Sequence, residues 1–208
     1  MSEVRLAGRR SAADAEITRK QILAAALSLF SSKGYDATGV REIAAQAGVS
    51  HGVVRHHFGA KFDIWKSVID DAFARYRELM LPVVEAARVS DKPLEAFRSV
   101  VSAFVQTSIN TPEFAALFVR EISQTSERAD YCRENFSTIH EVIGGLFERA
   151  RQESDALRLH SNDSFFYTLM SLTHFRLLHP DAAVALEFPL PSGVASMHDL
   201  IMLTLFRD

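Results

Sequence analysis

The chain has 208 residues, 48% hydrophobic and 24% charged, the make-up of a globular protein with a real core. No apolar run approaches the roughly 20 residues that span a bilayer, and the single cysteine, Cys132, excludes an internal disulfide, so a reducing cytoplasm is the expected setting. The net charge of −3 is uneven: residues 1–61 carry nine Lys/Arg against five Asp/Glu, and the rest fourteen against twenty-one, a basic head on an acidic body.

Residues 1–16 hold Arg5, Arg9 and Arg10 without an apolar stretch behind them, which reads as a flexible basic arm rather than a secretory signal. Such an arm either stays solvated or reaches into a minor groove. From Thr18 to Lys33, Ile22, Ala26, Leu29 and Phe30 recur at helical spacing, and Gly34 should end that helix. A short helix is expected over Val40–Ala47, with Thr38 as its cap, then a break at Gly48 and a third helix from Ser50 to about Phe58. A long helix follows from Lys61 to about Val89, which Pro82 should kink or break. Further helices are expected over Asp91–Thr107, from Pro112 to Ile122, over Glu127–Glu153, Asn162–Leu178 and Gly193–Phe206, with a loop at Pro180–Pro191. No stretch alternates with period two. The fold class is all-α with about nine helices.

The window from Val40 to Val54 is what a helix-turn-helix requires. Ala44 is small enough for a close helix crossing, Gly48 permits positive φ at the turn, and Ile43, Ala47, Val49 and Val54 form the shared core. Ser50 would open a recognition helix whose first residues enter the major groove. The flanks add Lys33-Gly34-Tyr35, Thr38-Gly39-Val40-Arg41-Glu42-Ile43-Ala44, Ala47-Gly48-Val49-Ser50-His51-Gly52 and His57-Phe58-Gly59-Ala60-Lys61. In this order and spacing they resemble the DNA-binding domain of the TetR family of bacterial regulators, over residues 17–66.

The resemblance implies a helix-turn-helix domain over residues 17–62, and an effector-binding and dimerisation domain over 63–208. It implies double-stranded DNA with a palindromic operator as partner, contacted from Thr38, Arg41, Ser50, His51, Gly52, Val53, Arg55, His56 and Lys61. Thr38 resembles the family's phosphate-contacting threonine, and Lys61 would join its ammonium to a helix N-terminus in attracting phosphate. Arg55 stands where many relatives have tyrosine. It would clamp phosphate, pair with a guanine edge or stay solvated beside the DNA. His57 and Phe58 would anchor the recognition helix.

The family pairs its last two long helices across a twofold axis, which here assigns a homodimer interface to Phe165, Phe166, Leu169, Leu172, Phe175, Leu200 and Leu203. A cavity for an apolar or aromatic small molecule is expected among Trp65, Phe104, Phe118, Phe147, Tyr167, Met170 and His174, although aromatics at helical spacing also make ordinary cores. His140, His174 and His179 share no metal-ligand spacing, so no metal or cofactor is expected. An enzyme has no support: Cys132 lacks a neighbouring histidine, and neither a nucleophile elbow nor a Gly-rich phosphate loop occurs. The expected function is a repressor released from its operator by ligand, with a ligand-free regulator or an activator as alternatives.

Overall fold

A computed structural model describes residues 2–178 and 195–207, with side chains described for 12–137, 139–175 and 195–207. These residues form ten helices and no strand: α1 Ser2–Lys33, α2 Val40–Gln46, α3 His51–Phe58, α4 Lys61–Arg88, α5 Pro93–Asn110, α6 Pro112–Ile122, α7 Glu127–Ala150, α8 Asp155–Arg158, α9 Asn162–Leu178 and α10 Met197–Leu205. The expected loop at Pro180–Pro191 lies outside the described residues. The chain divides into two compact units, 1–72 and 73–208, which meet within α4.

In the first unit, α1 begins at Ser2, where the sequence suggested a flexible arm. Residues 2–16 are mostly Ala, Arg, Glu and Ser, with Gly8 as the one poor helix former and no proline, so continuing the helix costs little. The side chains of Arg5, Arg9 and Arg10 lie outside the described residues. Ile22, Leu23, Ala26, Leu29 and Phe30 form the buried stripe of α1. Gly34, at φ 86°, ends it and donates to the Phe30 carbonyl at 3.0 Å.

Helix α2 is capped by Gly39 without a side-chain bond, so Thr38 is not its cap. Gly48, at φ 70°, makes the turn, and Val49 N–H returns to the Ala44 carbonyl at 3.0 Å. Ser50 then caps α3, its hydroxyl accepting from Val53 N–H at 3.3 Å. Val54 and Phe58, one turn apart, bury the inner face of α3, and the Arg19 guanidinium stands 5.5 Å from the Phe58 ring centre.

Helix α4 starts where Asp63 Oδ2 accepts from Ala60 N–H at 3.1 Å. It runs unbroken through Pro82, which is exposed, to Arg88. Its end is closed by Arg149 of α7, whose guanidinium donates to the carbonyls of Arg88 at 2.8 Å and Ser90 at 2.7 Å.

The second unit packs α5, α6, α7, α9 and α10 around one aromatic core. Phe97 of α5, Phe147 of α7, Phe165 of α9 and Phe206 meet there, with ring centres 5.2–6.2 Å apart. Helix α7 ends at Ala150, and Ser154 caps the extra single turn α8 by accepting from Leu157 N–H. Buried Glu121 of α6 and Arg128 of α7 pair at 2.9 Å. Ser102 of α5 meets His198 of α10 at 2.8 Å.

Candidate functional site

Two regions concentrate functional chemistry, one in each unit. The first is the outer face of α3. Because Val54 and Phe58 are turned inward, Gly52, Arg55 and His56 are exposed, while His51 and Val53 are half-buried. His51 and Arg55, one turn apart, share a concave surface of about 220 Å³ with Val40, Gly59, Ala60 and Lys61. That surface therefore brings the side of α3 against the first residues of α4, where the positive end of the helix dipole and an ammonium favour an anion. Lys61 Nζ lies 4.3 Å from the Tyr35 ring centre and donates to the Asp36 carbonyl at 3.4 Å. Arg41 is exposed on α2, and Lys33 pairs with Glu42 across the α1–α2 turn, holding the Glu42 carboxyl below its usual range.

Thr38 corrects the sequence expectation. It is 1% exposed, and its hydroxyl donates to the carbonyls of Gly34 at 2.8 Å and Leu29 at 3.3 Å. It finishes the C-terminus of α1 rather than facing a phosphate. Trp65 is a second correction. It is fully buried in the helix-turn-helix unit, stacked on Phe62 at 5.8 Å and edge-on to Tyr35 at 6.5 Å, and lines neither ligand cavity. Sequence reasoning passed over Tyr35, whose ring both Trp65 and Lys61 approach. Its place just after Gly34 was the available signal.

The second region lies among α4, α5, α6, α7 and α9. An inner cavity of about 30 Å³ is walled by Phe73, Tyr76, Phe104, Phe118, Phe136 and His174, among others. A wider outer one of about 490 Å³ includes Val119, His140, Phe166, Tyr167, Met170 and His174 in its wall. Phe136, Met170 and His174 belong to both. Of the residues singled out from sequence, Phe104, Phe118, Tyr167, Met170 and His174 line this space. Phe147 does not: it is fully buried against Phe97 and Phe165, so it is core. Phe73, Tyr76, Phe114 and Phe136, which the sequence did not single out for the cavity, also line its inner part.

His174 is 5% exposed, and its Nδ1 donates to the Met170 carbonyl at 3.0 Å. Burial lowers its pKa below the ordinary value, against the pull of that hydrogen bond. Burial likewise raises the Tyr76 phenol. Of the positions given to a dimer interface, Phe165, Phe166 and Leu169 are buried within the chain's own core, because they are the inward face of α9. Phe175 and Leu203 are exposed, and Leu172 and Leu200 are half-buried. Cys132 is buried, and its thiol is pushed up to about 12, first by burial and then by Glu121, which leaves it inert. Among the described residues no cluster of three or more His, Cys, Asp or Glu could hold a metal, and His179 lies outside them. No helix among them is long and apolar enough to cross a membrane.

Residues 22–68 match the family described as bacterial regulatory proteins, tetR family. The chain is 27% identical over 185 residues to the HTH-type transcriptional repressor KstR2 of Rhodococcus jostii (strain RHA1), covering 84% of this chain and 81% of that protein. It is 25% identical over 159 residues to the HTH-type transcriptional regulator AcrR of Shigella flexneri, covering 72% and 73%. Among solved structures, AibR in complex with isovaleryl coenzyme A and operator DNA superposes with a TM-score of 0.70 at 16% identity, over 91% of this chain and 98% of that one. At that identity the likeness is one of fold.

Proposed function

Since this chain belongs to the TetR family of bacterial DNA-binding transcriptional regulators, and is not an enzyme, we propose that it is a dimeric cytoplasmic repressor released from a palindromic operator by a small apolar or aromatic ligand. The observation that carries the reading is the shared concave surface where His51 and Arg55 of α3 meet Lys61 at the start of α4. On it, a base-reading helix and a phosphate anchor stand side by side.

Gly52 and His56 extend that face outward, and Ser50 and Val53 complete the leading edge of α3. Arg41 adds a backbone contact from α2. The two recognition helices of the dimer would lie about one DNA turn apart, roughly 34 Å. A ligand that prefers the released state would change that spacing, since equal affinity for both states shifts nothing. The inner cavity alone is nearly filled, which would suit a regulator without a ligand. The outer 490 Å³ favours the ligand-bound reading. AibR, which has the same fold, was solved with isovaleryl coenzyme A and operator DNA together, so the fold accommodates both partners. KstR2, a repressor, supports the direction of control.

The test is fluorescence anisotropy of the purified protein on the DNA upstream of its own gene, titrated with salt and compared with scrambled duplex. Two chains per duplex and preference over scrambled DNA are expected. Lys61→Ala should weaken binding and reduce the magnitude of the log-log salt slope by about 1.8, one phosphate contact being lost from each of the two chains. Absence of binding to any duplex at any salt would overturn the reading.

A further inference from the structure

We propose that the cavity recognises an uncharged aromatic or polycyclic molecule bearing a hydroxyl group, which accepts from Tyr76 Oη and donates to His174 Nε2. The inference rests on the ligand-bound reading above and names its ligand class.

Tyr76 is 8% exposed and lines the inner cavity, and its Oη has no hydrogen-bond partner among the described residues. A buried hydroxyl left unpaired is costly, so a ligand that satisfies it gains over one that does not. His174 supplies the opposite polarity. A carbonyl oxygen only accepts, so Nδ1 holds the proton in its bond to Met170, and the neutral ring keeps Nε2 bare as an acceptor. Burial favours the neutral form of both groups.

Phe104 stands edge-on to both rings, 6.2 Å from Tyr76 and 6.1 Å from His174, so the two polar groups flank one aromatic wall. A hydroxyl both donates and accepts. A ketone or an ether could only accept and would leave Nε2 unanswered. Size agrees with polarity. The inner cavity, about 30 Å³, has room for one oxygen, while the outer 490 Å³ is wide enough for rings. His174 belongs to both.

Charged ligands are disfavoured. Neither cavity is lined by Lys or Arg, so a carboxylate would lose its water without gaining a cation. The one acid, Asp163, is on the outer rim, exposed and 3.9 Å from His140 Nε2, where water screens it against a cationic ligand.

Four probes with one ring system test this on the full chain at pH 7.5 by isothermal titration: naphthalene, 2-naphthol, 2-naphthoate and (2-naphthylmethyl)ammonium. 2-Naphthol should bind at least about tenfold more tightly than each of the others, and Tyr76→Phe and His174→Phe, each checked for a cooperative melt, should each erase most of its advantage over naphthalene. The proposal is overturned if 2-naphthoate or the ammonium binds as well as 2-naphthol. It is equally overturned if naphthalene matches 2-naphthol, in which case a water fills the inner cavity, or if none of the four binds. Anisotropy on the bound upstream duplex, run in parallel, separates the two readings. A preference for 2-naphthol without DNA release keeps this proposal and removes the switch. Release by 2-naphthoate without that preference keeps the switch and removes this proposal.

Discussion

Thr38 shows how one side chain can be assigned to the wrong surface. Its hydroxyl is spent on the carbonyls of Gly34 and Leu29, where α1 runs out of its own donors. Thr38→Val keeps the shape and removes the donor, so urea unfolding should show a loss of about 1–2 kcal/mol. The salt slope of DNA binding should stay at the wild-type value, in contrast to Lys61→Ala. A reduced slope would return Thr38 to the phosphate backbone. His174 makes a prediction in pH. Its folded pKa lies below the ordinary value, so the unfolded chain takes up the proton first as pH falls. The contribution is complete above the unfolded pKa, about 6.5, and is lost as pH drops through the folded value. Urea midpoints measured between pH 7 and 5 should fall for the wild type, and fall less for His174→Phe.

Helices were legible where backbone chemistry writes them locally. Gly34, Gly48 and Gly59 all adopt positive φ, and each closes an element that the sequence placed within a residue or two. Pro82 does not break its element, since α4 passes through it to Arg88. A proline there removes the N–H that would bond the Glu78 carbonyl. Tertiary packing on the buried residues Tyr76, Met80, Val84 and Ala87 compensates, and this no local rule reports. Pro82→Ala should restore that bond and raise the unfolding free energy, by up to about 3 kcal/mol, read from urea midpoints. An unchanged midpoint would mean that the helix has already relaxed around the ring. The cavity was less legible than the helices, and α7 shows why. Phe136 and Phe147 lie on one helix at compatible spacing, yet Phe136 borders open space while Phe147 meets Phe97 and Phe165. Periodicity reports which face of a helix is apolar. It does not report whether the opposite wall touches it. The same gap hid the inward role of Phe165, Phe166 and Leu169, and placed Trp65 with a ligand instead of beside Tyr35.

At the scale of the whole molecule the proposed dimer turns on where two copies would meet. Helix α9 turns Phe165, Phe166 and Leu169 into its own core but still presents Tyr167 and Phe175 outward, and α10 buries Ile201 and Leu205 while exposing Leu203. Since α9 and α10 pack together, their outward apolar residues would offer the surface that a twofold partner covers in the proposed dimer. Tyr167, Ser171 and Phe175 also border the outer cavity, so pairing there would narrow the ligand's entrance and couple ligand to dimer. Leu203 is 51% exposed, so a charge at that position should leave the fold of one chain intact while opposing a second. Leu203→Glu should therefore sediment as a monomer with an unchanged circular dichroism spectrum. On the upstream duplex it should bind about 10²–10⁴-fold more weakly, because one recognition helix would no longer hold the other near its half-site. A variant that remains dimeric would move the interface away from α10. A monomer that binds DNA as tightly as the wild type would remove the need for a palindrome, and with it the mechanism in which a ligand acts by changing the spacing of two helices.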